Sequence, residues 1–196
     1  MVGEFLPPQL IYKGKTKASL PSSVKFPEGW DLTFTSNHWA NETTMKAYVE
    51  KIILPFVNPK RKQLRLNADH RALAIVDKFK GQCTPLIVEI LDSNNIDVVY
   101  APANCTDRLQ PTDLSINKPA KHFLKEKFQL WYAEQVVKQE EETKVLKPVA
   151  FPMKIMKPLG AKWLMEFYDY VVGKPEIVKN GFKAAGITDA LGPKSK

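Results

Sequence analysis

Two aspartates are the residues of this chain best placed to do chemistry. Asp77 directly follows the apolar run Ala72 to Val76, and Asp113 closes the segment Leu109-Gln-Pro-Thr-Asp, 36 residues further on. Two carboxylates that meet repel each other unless a cation lies between them. Mg²⁺ prefers such oxygen ligands together with phosphate oxygens, and two such ions can clamp an in-line displacement at phosphorus. The pair therefore predicts a metal-dependent phosphoryl-transfer site, although an Asp after a strand is also a common turn former or helix cap.

The segment around the two acids predicts alternating strands and helices. Ala72 to Val76 is typical of a strand buried on both faces, and Thr84-Pro85 begins a helix, with Thr84 as cap and Pro85 at its first position. A second strand over Ile96 to Ala101 precedes a long helix from Asn117 to about Gln139. This βαβα order implies a parallel pair with a right-handed crossover. Both acids are then expected at the carboxyl ends of the strands, where open α/β sheets bind their ligands.

The rest of the chain predicts further strands and helices, so the fold class is α/β. Strands are expected over Leu6 to Tyr12 and Trp30 to Thr35. Apolar residues at helical spacing predict a helix from Asn41 to Val57, with Pro59 as its stop. Helices are also expected over Pro158 to Val172 and from Pro175 to a stop at Gly186. The domain division we expect is a core over 1–139, a charged linker over 140–157 and a helical segment over 158–192.

The charge of the chain favours a polyanionic partner. The net charge is +8 and the pI is about 9.3, which points first to nucleic acid, although a solvated basic surface would have the same composition. No apolar run is long enough to span a membrane, so no membrane partner is expected. The basic residues cluster in three groups, which are Lys13, Lys15, Lys17 and Lys25, then Lys60, Arg61, Lys62, Arg65 and Arg71, and lastly Lys118, Lys121, Lys125 and Lys127.

Several stretches resemble one known family. The block Asn104-Cys-Thr-Asp-Arg-Leu-Gln-Pro-Thr-Asp113, together with Ile75-Val-Asp77 and Lys118-Pro-Ala-Lys121, is similar to the DDE superfamily endonuclease domain, and most of all to its pogo, Tigger and Jerky-like transposase branch. Leu6-Pro-Pro-Gln-Leu-Ile-Tyr12, Trp39 and Asn180-Gly-Phe-Lys-Ala-Ala-Gly-Ile187 extend the resemblance over most of the chain.

The resemblance implies an RNase H-like fold of the retroviral integrase type and a nuclear, DNA-handling protein. Asp77 and Asp113 would be the second and third catalytic acids and would bind Mg²⁺ or Mn²⁺. Gln110 and Lys121 would support the site or contact DNA, or would have plain structural roles. With the charge pattern, this gives Lys13, Lys15, Lys17, Lys118 and Lys125 as further nucleic-acid contacts. A homodimer is left open.

The chain departs from the family at the first acid. In the family, that acid lies on an upstream strand and leads through a hairpin to the strand that resembles Leu6 to Tyr12. Gly3-Glu4 resembles the tip of that hairpin, so we expect the first acid and two strands to be absent, and neither Glu4 nor Asp31 has a context that replaces the acid. We therefore expect a gapped or rearranged sheet in which Leu6 to Tyr12 is poorly anchored.

Three functional hypotheses follow. The first is a transposase-derived nucleic-acid-binding domain, the remnant of a metal-dependent endonuclease or strand-transfer domain, inactive alone because two acids do not make a two-metal site. The second is a domesticated module that binds protein or DNA without catalysis. The third is an incomplete gene model of an active transposase.

Overall fold

The structure is a computed structural model, and it describes residues 3–77, 84–102, 105–145 and 147–192. The strands are β1 (Gln9–Lys13), β2 (Asp31–Thr35), β3 (Ala72–Val76) and β4 (Ile96–Tyr100). The helices are α1 (Glu42–Tyr48), α2 (Leu54–Gln63), α3 (Pro85–Ser93), α4 (Thr106–Leu109), α5 (Lys118–Thr143), α6 (Met153–Val172), α7 (Pro175–Ala184) and α8 (Ile187–Leu191). Two π turns, Val49–Ile53 and Asp113–Asn117, and a short 3₁₀ segment, Lys17–Ser19, complete the described elements. The chain is therefore of the mixed α/β class with C-terminal helices.

The strands form two separate parallel pairs. β1 pairs with β2 from Gln9 opposite Asp31 to Lys13 opposite Thr35, and β3 pairs with β4 from Ala72 opposite Ile96. In the described part of the chain no strand joins the two pairs, which confirms the prediction of an interrupted sheet. The prediction that the first strand is poorly anchored is wrong, because β1 is paired with β2 along its whole length.

The first core lies between the β3–β4 pair and the helices α1 and α3. Met45, Val49, Ile87, Leu91 and Ile96 are its buried members. The prediction that β3 is buried on both faces is wrong. Ala72 and Ala74 point into this core, whereas Leu73 is 49% exposed because successive strand residues face opposite sides. Helix packing thus covers one face of the pair.

The helix after β2 runs further than the sequence predicts. It begins as expected at Asn41, whose side chain accepts a hydrogen bond from the amide of Thr44 in a capping box. It passes through the first π turn and continues to Gln63, so the predicted stop at Pro59 is wrong. Pro59 is exposed and costs this helix one backbone hydrogen bond, which the rest of the helix tolerates.

A second core joins the C-terminal helices to the second π turn. Ile116 from that turn packs with Phe167 and Val171 of α6 and with Val178 of α7. α5 extends four residues past its predicted end, and α6 begins five residues before its predicted start. Gly186, with φ +71°, follows α7 as expected, because this left-handed conformation favours glycine. None of the described helices is long and apolar enough to cross a membrane.

Candidate nucleic-acid and metal site

Asp77 lies where the sequence places it, directly after β3. The neighbouring strand β4 ends at the same edge of the pair, where the amide of Ala101 donates to the carbonyl of Val76 at 2.9 Å. Asp77 is half-buried. Because the pair is parallel, Asp77 and Ala101, the residues that follow the two strands, lie at the same end of it.

Asp113 is the first residue of the second π turn, which leads directly into α5. Its amide donates to the carbonyl of Gln110 at 3.1 Å, and its Oδ1 accepts a hydrogen bond from Nδ2 of Asn117. Asp113 is half-buried, and its hydrogen bond with Asn117 engages one of its carboxylate oxygens within the turn. Its role as a metal ligand stays a prediction.

α7 holds this turn in place through a close backbone approach. A Cβ atom on Gly181 would lie 2.5 Å from the carbonyl oxygen of Pro111, and it would lie closer still to Oγ of Ser115. Only glycine therefore fits where α7 crosses the turn that carries Asp113. Gly181 belongs to a family-like motif in the sequence, but the motif does not reveal this contact, because residues 70 positions apart form it.

The residues that the structure describes do not supply the ligand set of a two-metal site. Among them, no group of three or more His, Cys, Asp or Glu side chains is placed to hold a metal ion. Two other acids considered from the sequence are engaged with cations. Glu4 pairs with Lys60, and Asp31 pairs with Lys51 at 2.6 Å and accepts a bond from Gln9 Nε2 at 2.6 Å. Asp77 and Asp113 have the oxygen chemistry that Mg²⁺ prefers, and their role as metal ligands stays a prediction.

Gln110 has an unusual environment close to Asp113. Its side-chain oxygen Oε1 is buried, and no described group donates to it. A buried acceptor without a donor costs free energy, so this atom is suited to receive a hydrogen bond from a buried water. A direct DNA contact through this oxygen would require the side chain to move, and the predicted contact stays a prediction.

The predicted nucleic-acid-binding lysines form two exposed groups. We name Lys13, Lys15 and Lys17 the β1 basic loop, and we name Lys118, Lys121 and Lys125 the α5 basic face. The second group is spaced at i, i+3 and i+7, which places its members on one side of the helix. Within the described ranges, none of these six lysines forms a salt bridge with an acid, whereas Lys127 pairs with Glu166 at 2.5 Å.

The β1 basic loop is held in place by a residue that the sequence analysis did not single out. Lys157 of α6 donates to the carbonyl of Ser19 at 2.7 Å, and its ammonium lies 5.9 Å from the ring centre of Tyr12. The loop is thereby fixed against α6. No sequence signal identifies Lys157, because the contact joins segments about 140 residues apart.

Two members of the middle basic group, Arg61 and Arg71, have structural partners instead. Arg61 is buried and donates to the carbonyls of His70, Asn94 and Asn95 at 2.8 to 3.0 Å. Arg71 pairs with Asp92 and with Asp97, both at 2.7 Å.

These pairings give Arg61 and Arg71 structural roles within the protein. The Arg71 guanidinium, mainly through its hydrogen bonds, holds the pKa of Asp97 below its usual value. Clustering in the sequence therefore does not distinguish a binding surface from a structural network.

Comparison with known proteins identifies relatives. A family model described as DDE superfamily endonuclease matches residues 2–161. The human pogo transposable element with KRAB domain is 24% identical over 191 residues, which is 96% of this chain and 28% of that protein. The mouse protein of the same name is 22% identical with the same coverage. The human pogo transposable element with ZNF domain is 19% identical over 187 residues, which is 94% of this chain and 12% of that protein.

The chain thus spans less than a third of the length of these curated relatives. No solved structure matches it.

Proposed function

Because the chain belongs to the DDE superfamily of endonucleases and is related to pogo transposable-element proteins, we propose that it binds DNA and that this chain alone does not cleave it. The β1 basic loop and the α5 basic face make the DNA contacts. We further propose that Asp77 and Asp113 are two members of the acid set for which the family is named.

The observation that carries the DNA-binding proposal is the set of six exposed lysines without a described acid partner. Lysines that are not neutralised within the protein are free to replace the counterions of DNA phosphates, and the release of those counterions drives binding. The paired lysines elsewhere, such as Lys60 with Glu4, have already lost part of that driving force. The net charge of +8 adds long-range attraction.

The proposal that the chain does not cleave DNA by itself is supported by the acids. In the described ranges, Glu4 and Asp31 are each paired with a lysine, and no three-acid cluster is formed. Two-metal phosphoryl transfer requires ligands that hold both ions about 4 Å apart, and two carboxylates supply too few of them.

A nicking assay tests this part of the proposal. Supercoiled plasmid is incubated with the purified chain in Mg²⁺ or Mn²⁺, beside Asp77→Asn and Asp113→Asn variants. We expect the three proteins to give the same background of nicked circles. Metal-dependent nicking by the unaltered chain that disappears in both variants would contradict the proposal and would identify an active nuclease.

DNA binding is tested separately, by fluorescence anisotropy with a labelled 20-base-pair duplex. We expect binding at 50 mM salt that weakens steeply towards 200 mM, because each lysine–phosphate contact contributes close to one unit to the logarithmic salt slope. Absence of binding at low salt would refute the proposal. A nuclear location is proposed with it, since a DNA-binding protein of this family acts where the DNA is.

A second candidate function is protein binding, and the far half of α5 favours it. Leu130 is 62% exposed and Val137 is 52% exposed, and their seven-residue spacing places both on one side of the helix. A second copy of the chain would cover this stripe in a homodimer. Light scattering of the chain and of a Leu130→Glu variant tests this: a dimer that becomes a monomer in the variant supports it, and a monomer in both cases refutes it.

A further inference from the structure

The turn after β2 presents an aromatic pair on the surface. Trp39 is 57% exposed, and the imidazole of His38 stacks on its indole with ring centres 5.5 Å apart and planes inclined by 28°. His38 has φ +61°, a left-handed conformation that residues other than glycine seldom adopt. The turn thus sets a left-handed residue beside an exposed aromatic side chain, an arrangement that suggests a binding site.

Hydrogen bonds fix the shape of this turn. The amide of Gly14 donates to the carbonyl of Thr35 at 2.8 Å, and Oγ1 of Thr35 donates to the carbonyl of Trp39 at 3.1 Å. The amide of Trp39 donates to Oδ1 of Asn37 at 3.2 Å. The backbone that carries the indole is therefore ordered before any ligand arrives, which lowers the entropy lost on binding.

Trp39 forms one wall of a groove with a volume of about 440 Å³, within the usual range for ligand sites. Phe34 adds a second aromatic side chain, Asn37 adds an amide, and Lys15 brings a cation from the β1 basic loop. The groove thus combines aromatic rings, a polar side chain and one positive charge. This combination fits a ligand that has both a flat ring and an anionic group.

We propose that this groove binds an unpaired nucleotide of single-stranded DNA, with the base stacked on the indole of Trp39 and a phosphate at Lys15. Base–aromatic stacking tolerates every base, because each base presents a π face. The inference rests on the proposed DNA binding, since Lys15 belongs to one of its two contact surfaces. It adds that this surface is selective for single strands.

The test measures the affinity of three oligonucleotides for the chain and for variants. The oligonucleotides are a labelled thymidine 20-mer, an abasic 20-mer with the same phosphates, and a 20-base-pair duplex. The variants are Trp39→Ala, Trp39→Phe and, as a matched control on α6 outside the groove, Tyr170→Ala, whose ring is 45% exposed. Thermal unfolding of each variant accompanies the binding data.

We expect Trp39→Ala to bind the thymidine 20-mer about 10-fold more weakly, which is the loss of affinity expected when one base–aromatic stacking contact is removed. Trp39→Phe should retain most of the affinity, Tyr170→Ala should bind like the unaltered chain, and the abasic 20-mer should not distinguish any of the proteins. Equal affinity of Trp39→Ala and the unaltered chain for the thymidine 20-mer would overturn the inference while leaving the proposed function intact. An equal loss on the abasic 20-mer would also overturn it. Absence of binding to all three oligonucleotides would refute the proposed function and this inference together.

Discussion

Lys51 Nζ lies 2.6 Å from Oδ1 of Asp31, so the first residue of β2 is tied to the π turn between α1 and α2. The Asp31 side chain is only 4% exposed, whereas the Lys51 side chain is 61% exposed. Gln9 Nε2 donates to the other oxygen of Asp31 at 2.6 Å. Asp31 thus joins both strands of the first pair to the helix that follows, and its carboxylate has a structural role.

The Asp31 network predicts that removing Asp31 and removing Lys51 have unequal effects on stability. Asp31→Ala removes a buried acceptor and leaves Gln9 without it, so we expect a loss of about 2 kcal/mol in the free energy of unfolding. Lys51→Ala removes an exposed ammonium, and we expect a loss below about 1 kcal/mol. Urea unfolding measures both. A larger loss for Lys51→Ala than for Asp31→Ala would contradict this view of the pair.

The crossing of α7 over the second π turn predicts opposite effects at two glycines. Gly181→Ala places a methyl group 2.5 Å from the carbonyl oxygen of Pro111, and we expect it to destabilise the protein by about 1–3 kcal/mol. Gly160→Ala in α6 is the matched control, because its Cβ would meet no atom within 4 Å. We expect that variant to gain about 0.5–1 kcal/mol from better helix propensity. Thermal unfolding that shows the same sign for both substitutions would refute the close approach.

The burial of Arg61 predicts that this residue contributes to stability, whereas its exposed neighbour Lys62 does not. Arg61→Met leaves the carbonyls of His70, Asn94 and Asn95 without their donor, and we expect a loss of about 2–4 kcal/mol. Lys62→Met, at an exposed position next to it, should change stability by less than about 0.5 kcal/mol. Circular dichroism during urea unfolding distinguishes the two, and similar losses for both would be evidence against the buried role of Arg61.

The partial burial of Tyr48 predicts a loss of stability at alkaline pH. Burial raises the pKa of Tyr48 above its usual value of 10.0, because the phenolate is poorly solvated there. A raised pKa in the folded state gives stability that is complete below the unfolded pKa, near 10, and is lost as the pH rises through the folded pKa. Melting temperatures should therefore fall more steeply above pH 10 in the unaltered chain than in Tyr48→Phe. Tyr132→Phe, at an exposed position on α5, is the control, and identical pH profiles for all three proteins would contradict the prediction.

Local sequence signals predicted the strand before Asp77 and the start of α3, but not the π turn that carries Asp113. Asp77 follows a run of five apolar residues, and Thr84-Pro85 begins a helix, so periodicity and chain stiffness are sufficient there. The start of the helix was predicted correctly, but the capping role predicted for Thr84 is wrong, since its hydroxyl makes no capping hydrogen bond. Signals of this type act within one helical turn or one strand.

Contacts between distant segments were not predictable from one sequence. Arg61 differs from the lysines proposed to bind DNA because it is held by carbonyls 9 to 34 residues away. The exposure of Leu73 depends on which face of the β3–β4 pair receives α3, and an apolar run alone does not show this. The groove at Trp39 needs β1 and β2 side by side before Lys15 and Trp39 share it.

The most direct test of the central claim compares lysines without acid partners with lysines that have them. One triple variant replaces Lys118, Lys121 and Lys125 with Gln, and the control replaces Lys46, Lys138 and Lys179, each of which pairs with a glutamate on its own helix. Both remove three positive charges, so long-range attraction falls equally. We predict that the first variant lowers the logarithmic salt slope of duplex binding by about 2–3 units while the control lowers it by less than about 1. Equal slopes for the two variants would contradict the claim that the α5 basic face contacts DNA.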